Sequence, residues 1–413
     1  MERKKWTKRR VAIHGLAVLV LVGAPVLYGV ATEAPAGFDN LTNGFEAQAT
    51  MDADRASFDQ VEQISDGLGP NYNAQSCREC HQNPVSGAIS QITEERAGTT
   101  DGFSFFTPHP GGSLIFSRAI DPSIQVRLVA NDNVATFRTS LNLAGDGFVE
   151  ALPDSAFTNN QNYQAQFGLQ GSILTVPVLE SPGTNRIGRF GWKNQHASLV
   201  SFAADAYLNE MGITSPLQPT ENTSNGTDVT YLNTRNGVPA IQDPAIAGSP
   251  FGHDIGAFSR FMRSLKVPPR DTVLAGTSDA QAGASLFTQI GCAICHTATL
   301  TTAPTGTSFN GGQFVVPAAL GSKNIHPYGD FMLHDVGTGD FIVQNGGIGT
   351  LTLLRTPPLW GMRTRNRLMH DGESLKRSDA INRHAGQANP VINNFLNLSF
   401  NQQNQIITFL NSL

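Results

Sequence analysis

Four cysteines constrain this chain more than any other feature of its 413 residues. They form two C-x-x-C pairs, each followed at once by histidine: Cys77-Arg78-Glu79-Cys80-His81 and Cys292-Ala293-Ile294-Cys295-His296. Two thiols on one helical turn can add across the two vinyl groups of a porphyrin, and the next residue then points an imidazole at the iron. C-x-x-C-H is accordingly the signature of covalent haem attachment. A zinc site would place its two pairs roughly 15–20 residues apart, whereas these lie 215 apart (292 − 77). A thioredoxin-like redox pair has no need of a following histidine twice, and a disulfide between such close cysteines is strained. The spacing therefore predicts two covalently bound haem c groups, held through Cys77 and Cys80 and through Cys292 and Cys295, with His81 and His296 as proximal iron ligands.

The N-terminus fits that chemistry. Glu2 to Arg10 is a basic stretch, and Val11 to Val30 is largely apolar. This reads as a signal peptide or an uncleaved membrane anchor over residues 1–35. Basic residues before the apolar run keep the N-terminus in the cytoplasm, so the remainder is expected outside it, periplasmic, secreted or tethered to the inner membrane. Haem c is attached outside the cytoplasm, in agreement. The net charge is −5, with no basic tract after the first ten residues, so nucleic acid is not an expected partner. Only 15% of residues are charged, and 41 are glycine, which suits a loop-rich globular chain.

The surroundings of the two haem motifs repeat. Arg138-Thr139-Ser140-Leu141 resembles Arg355-Thr356-Pro357-Pro358, and Phe261-Met262-Arg263-Ser264-Leu265 resembles Phe409-Leu410-Asn411-Ser412-Leu413. The repeat predicts a mainly α fold with two tandem cytochrome-c-like domains, residues 40–268 and 275–413, the first enlarged by loop-rich insertions. Ala282, Leu286 and Ile290 recur at helical spacing before the second motif. Ser399 and Gln402 form a capping box that opens a terminal helix whose buried face carries Ile406, Leu410 and Leu413. Pro268-Pro269 stops the last helix of the first domain. Residues 213–250, rich in Pro, Asn, Thr and Gly, read as a long surface excursion.

Several strings carry a family resemblance: Gly67-Leu68-Gly69-Pro70-Asn71-Tyr72-Asn73, Gly188-Arg189-Phe190-Gly191-Trp192-Lys193, Asn209-Glu210-Met211-Gly212-Ile213-Thr214, Met332-Leu333-His334-Asp335-Val336-Gly337, and the stretch from Arg355 to Gly372. Over residues 55–413 the chain resembles the di-haem c-type oxidoreductases described as peroxidases or thiol oxidoreductases. These are similar in turn to bacterial di-haem cytochrome c peroxidases. The resemblance implies an enzyme that takes electrons from a small periplasmic donor protein through the C-terminal haem to a catalytic N-terminal haem, where a small oxidant such as peroxide reacts. An electron-transfer cytochrome with no substrate chemistry is the alternative. Oxidation of a sulfur compound is a third reading, but the chain has no further cysteine to support it. Calcium is implied only by the resemblance, since no EF-hand-like carboxylate loop occurs.

The distal ligands separate these readings, because an iron with two strong ligands shuttles electrons while one with a free site binds a small molecule. Where the peroxidases place a distal methionine, Ala380-Ile381-Asn382-Arg383-His384-Ala385-Gly386 offers His384. The resemblance thus implies bis-histidine ligation of the second iron by His296 and His384, with Met362 and Met369 in reserve. No histidine lies between His81 and His109, so the first iron is expected to be five-coordinate, with His109 as an alternative ligand. Glu150 lies where the repeat puts a haem-facing loop, and a carboxylate there could relay a proton as catalytic acid–base. Arg138 and Arg355 suit haem propionates. His334 and His370 suit propionates or backbone, and Trp192 either a position between the haems or the core.

Overall fold

Two pairs of crossing helices carry the two histidine-bearing turns in the computed structural model, which describes residues 30–413. The expected signal peptide or anchor lies outside the described residues, and among the described residues no helix is long and apolar enough to cross a membrane. Five helices organise the haem-motif regions: α1 (Gln48–Asp59), α2 (Leu199–Met211), α3 (His253–Ser264), α4 (Ser278–Gln289) and α5 (Phe400–Asn411). The predicted capping box at Ser399 is formed, with Gln402 answering the Ser399 backbone. The helix before the second motif spans Ser278–Gln289; Leu286 and Ile290 are buried as the periodicity predicts, Ala282 is only half-buried, and Ala280, Gly283 and Phe287 complete the buried face.

α4 crosses α5 at Gly283, where even one added carbon would sit 1.9 Å from the Gln405 carbonyl oxygen. This close approach brings Phe287 against Phe409 (centroids 5.3 Å apart) and also against His296 (6.1 Å). The first half repeats the device. α1 packs on α3, Phe58 meets Phe261 at 4.9 Å, and Phe58 meets His81 at 6.4 Å. Phe261 and Phe409 are the residues that open the two repeated strings, so the repeat is real at the level of side-chain contacts.

The halves differ in what is added. The first half contains a four-stranded antiparallel sheet in which Thr93–Thr100 pairs with Phe106–Pro108, Leu114–Ile115 and Val134–Thr139. Residues 213–250 form the expected excursion, with one short helix at Tyr231–Arg235. More residues lie in helix than in strand, in keeping with a mainly α chain, although loops and short strands take a large share.

The two hydrophobic cores do not follow the 40–268 and 275–413 division. One core holds Phe58, Phe148, Phe190 and Phe261 together with Leu300, Phe314, Leu320 and Phe331 from beyond the second haem motif. The other holds Leu286, Phe287, Met362, Ile406 and Phe409. The chain from Ala31 to Leu413 is a single compact unit.

Gly283→Val would force α4 and α5 apart. It should lower stability by about 2–4 kcal/mol, read from chemical denaturation followed by circular dichroism, whereas Gly349→Ala, in open space, should change it by less than about 0.5 kcal/mol.

Candidate haem-binding sites

The second motif lies on a short 3-10 turn, Cys292–Ile294, closed by a hydrogen bond from the His296 amide to the Cys292 carbonyl at 3.0 Å. Its thiols are unbridged. They face an open cavity with about 1410 Å³ of atom-free space including its mouth, lined among others by Cys292, Cys295, His296, Arg355 and His384. The rings of His296 and His384 stand 6.5 Å apart, centre to centre. A metal–imidazole bond is about 2 Å long and the ring centre lies about 1 Å further back, so two imidazoles sharing one metal ion have centres about 6 Å apart.

Both rings are oriented for that role. His296 donates from Nδ1 to the Tyr328 carbonyl (3.0 Å) and His384 from Nδ1 to the Ala380 carbonyl (2.8 Å), which leaves each Nε2 lone pair available. Burial, and then the neighbouring His384, push His296 down to about 4, and burial lowers His384 as well. Both are therefore neutral at pH 7, the form that binds a metal. The short helix Arg377–Asn382 delivers His384 to the cavity. Met362 and Met369 line the same cavity.

The cavity also collects positive charge. Arg355, Arg365, Arg377 and His370 line it, and the Nε atoms of the arginines and Nδ1 of His370 are buried without a hydrogen-bond partner. Burial pushes Arg365 down to about 10 with no carboxylate to offset it. Burial does the same to Arg355, about 10, against partial relief from Asp146. Unpartnered buried donors of this kind call for an anionic group. A haem with two propionates meets that need, so the residues fit the group. His334, by contrast, is satisfied. Its Nε2 lies 2.9 Å from the Asp330 carboxylate, which outweighs burial and holds the ring protonated to about 11.

The first motif is a helical turn, Cys77–Cys80, capped by Ser76, whose side chain accepts from the Glu79 amide at 3.3 Å. His81 directs Nδ1 to the Ala88 carbonyl (3.2 Å), and burial pushes it down to about 4, so the ring is neutral at pH 7, the form that binds a metal. Among the described residues the ring beside His81 is Phe58, and no second imidazole pairs with it as His384 does with His296.

Burial, then the charges of Glu210, Glu79 and Glu94, raise the Cys80 thiol to about 12, which marks an acidic neighbourhood. Glu210 ends α2, and its carbonyl accepts from the Asn73 (2.7 Å) and Ala74 (3.0 Å) amides just before the motif. Gly212, in the left-handed conformation (φ 70°), closes the helix where a side chain would strike the Asn71 carbonyl oxygen at 2.7 Å. Asn73 donates to the Glu210 carboxyl at 3.0 Å. Burial and the adjacent Glu94 push Glu210 up to about 8. Glu94 is pushed up by burial, but a two-point contact from Arg96 (2.6 and 3.1 Å) more than offsets this and keeps it ionised. The pair therefore holds one proton at neutral pH. Glu210 lay inside a string that carried the resemblance, yet nothing in its spacing showed that an ionised partner from a strand, Glu94, would meet it.

Glu150 has a different place from the one expected. It is fully buried, bound by Arg263 (2.6 and 2.9 Å), by the Leu199 amide that opens α2 (3.0 Å) and by Asn310 (3.1 Å). Burial alone would raise it, but Arg263 holds it below the ordinary range. An acceptor so fully engaged anchors α2 and has no free oxygen with which to relay a proton. Arg138 is likewise taken, donating from Nε to Asp340 at 2.7 Å, while Arg355 faces the cavity. Trp192 lines the cavity and donates to the Thr139 carbonyl at 2.8 Å. His109 is buried and pairs with Asp132 at 2.7 Å.

A family described as "Di-haem oxidoreductase, putative peroxidase" matches residues 116–413, beginning after the first haem motif. No curated protein matches the chain significantly. Among solved structures, the di-haem peroxidase BthA from Burkholderia thailandensis is 14% identical, with 93% of this chain and 95% of that one covered and a TM-score of 0.40. Hydrazine synthase from Kuenenia stuttgartiensis is 12% identical, with 99% and 100% covered and a TM-score of 0.39. A MauG-like protein associated with microbial copper homeostasis is 18% identical, with 45% and 59% covered and a TM-score of 0.27.

His384→Ala should convert the second haem from low-spin to partly high-spin, seen by paramagnetic resonance; an unchanged spectrum removes His384 as a ligand. Glu150→Gln should cost about 3–5 kcal/mol of stability by leaving Arg263 buried and unpaired, and leave the spin states of the folded protein as they were.

Proposed function

The chain belongs to the di-haem oxidoreductase family, and from that footing we propose that it is an exported peroxidase-like enzyme with two covalently attached haems of unequal duty. The unequal histidine environments carry this reading: His296 faces His384 at 6.5 Å, whereas His81 has Phe58 as its ring neighbour. Cys292, Cys295, His296 and His384 would hold the C-terminal haem, which would supply the redox chemistry for relaying electrons from a small periplasmic donor protein. Cys77, Cys80 and His81 would hold the N-terminal haem, which would supply the site for a small oxidant, peroxide being the best fit. When bound, the haems supply one-electron redox chemistry, and an iron with a free axial position accepts a small ligand.

The protein's own share is placement and proton handling. Arg355, Arg365 and Arg377 hold the propionate side of the second haem, and the Nδ1 hydrogen bonds fix the rings of His81, His296 and His384. Glu210 and Glu94, beside Cys80, manage the proton. Glu94, held on both oxygens by Arg96, keeps its neighbour Glu210 protonated, and Glu210 would supply a proton to the departing oxygen. A second imidazole on the C-terminal iron in place of methionine favours a lower potential there, which suits a reducing relay. The N-terminal basic and apolar segment accounts for export and for any membrane attachment.

Paramagnetic resonance of the purified protein should show one high-spin and one low-spin haem; two low-spin signals in both oxidation states would instead mean a plain electron-transfer cytochrome. Glu210→Gln should slow peroxide turnover by about 10²–10⁴-fold with both spin states intact. In the parent protein turnover should fall as the pH rises through about 8, where the pair loses its proton, and a pH–rate profile of Glu210→Gln should lack that limb.

A further inference from the structure

A lysine stands where a buried cation would be expected to be a metal. Lys193 has no solvent-exposed side-chain surface. Its ammonium lies 3.0 Å from the Thr350 carbonyl, 3.1 Å from that of Leu351, 2.7 Å from that of Leu353 and 2.8 Å from the Asp340 carboxylate. Asp340 is itself fully buried and its other oxygen takes the Arg138 Nε at 2.7 Å. Three main-chain carbonyls and one carboxylate around a point of positive charge are the donor set of a hard-cation site. Lysine is rarely so deeply buried unless paired, and this one has a neighbour for every proton it carries.

The cage also has a task. Its carbonyls come from residues 350–353, directly before Arg355, and Lys193 follows Trp192; both Arg355 and Trp192 line the haem cavity. The Arg355 amide donates to the Trp192 carbonyl at 2.8 Å. The ammonium therefore clamps the segment bearing Arg355 to the segment bearing Trp192. Burial pushes Lys193 down to about 8, with Asp340 opposing the fall, so the charge is present at neutral pH.

We propose that the Lys193 ammonium is a built-in structural cation, filling a cage of the kind that would otherwise take a hard metal ion such as calcium. The inference concerns a positioning residue and stands apart from the assignment of the reacting haem.

The test uses the full-length protein with its haems. Elemental analysis of the parent protein should find iron but less than stoichiometric calcium, and EGTA should leave its thermal midpoint and visible spectrum unchanged. Lys193→Ala should melt roughly 10 °C lower in EGTA, since it strands the carbonyls and Asp340, and millimolar calcium chloride should recover much of that loss by entering the opened cage. Lys193→Met, which fills the cage without charge, should be destabilised and indifferent to calcium. One calcium per parent chain whose removal shifts the midpoint or spectrum overturns the proposal, as does a Lys193→Ala protein that calcium leaves unchanged. If Lys193→Ala does not accumulate, the metal content and EGTA response of the parent protein decide alone.

Discussion

Positive charge sealed inside the C-terminal half is the constraint to which the rest of the site answers. Arg355, Arg365 and Arg377 line one cavity with buried Nε atoms that nothing among the described residues satisfies, while other nitrogens of Arg355 and Arg377 donate to the Arg189 and Met362 carbonyls. Removing a guanidinium from water costs several kcal/mol unless an anion meets it, and Asp146 relieves only Arg355, so the arrangement favours an acidic partner in the cavity. The same cavity presents two thiols and two facing imidazoles. Each feature alone has an ordinary explanation. Together they fit the haem that the family implies, a macrocycle with a metal at its centre and carboxylate side chains.

The scaffold that holds this arrangement is built twice. In each half an aromatic ring from one helix is pressed between a phenylalanine of the crossing helix and the proximal histidine, Phe58 in the first and Phe287 in the second. The histidine is thus fixed by packing on one side and by an Nδ1 hydrogen bond to a carbonyl on another. What differs is the opposite face. The helix Arg377–Asn382 brings His384 to the second site, whereas beside the attachment turn of the first the chain gathers the carboxyls of Glu210 and Glu94. The two sites differ in this respect: His384 faces His296 in the second, and among the described residues no second imidazole faces His81 in the first.

Much of this was legible in the residues. The attachment motifs, the proximal histidines and His384 are local signals whose spacing or family string survives any fold, and the terminal helix announced itself through Ser399 and Gln402. The sheet around Thr93–Thr100 was not legible, because Thr-Glu-Glu-Arg-Ala-Gly-Thr-Thr has no alternation of apolar and polar residues. Glu150 was misread for a related reason. Its position in the repeat was visible, but its partner Arg263 lies 113 residues away, and only the folded chain shows that the carboxylate is consumed. Glu210 was overlooked by the same token, since its character comes from Glu94, Asn73 and the turn at Gly212, three separate segments. Local chemistry reads directly from sequence; the protonation state of a buried acid depends on whom the fold seats beside it.

Residues 300–332 follow the second attachment motif yet fill the first core, where Leu300, Phe314, Leu320 and Phe331 pack with Phe58 and Phe261. If the two halves arose by duplication, they have since grown into one another, because the first core takes in residues from beyond the second motif. Cutting the chain between them would strip apolar surface from the first haem scaffold and hand it to the fragment bearing the second. The two scaffolds are joined by this shared interior rather than by a linker alone, so a change packed into the first core can reach the second.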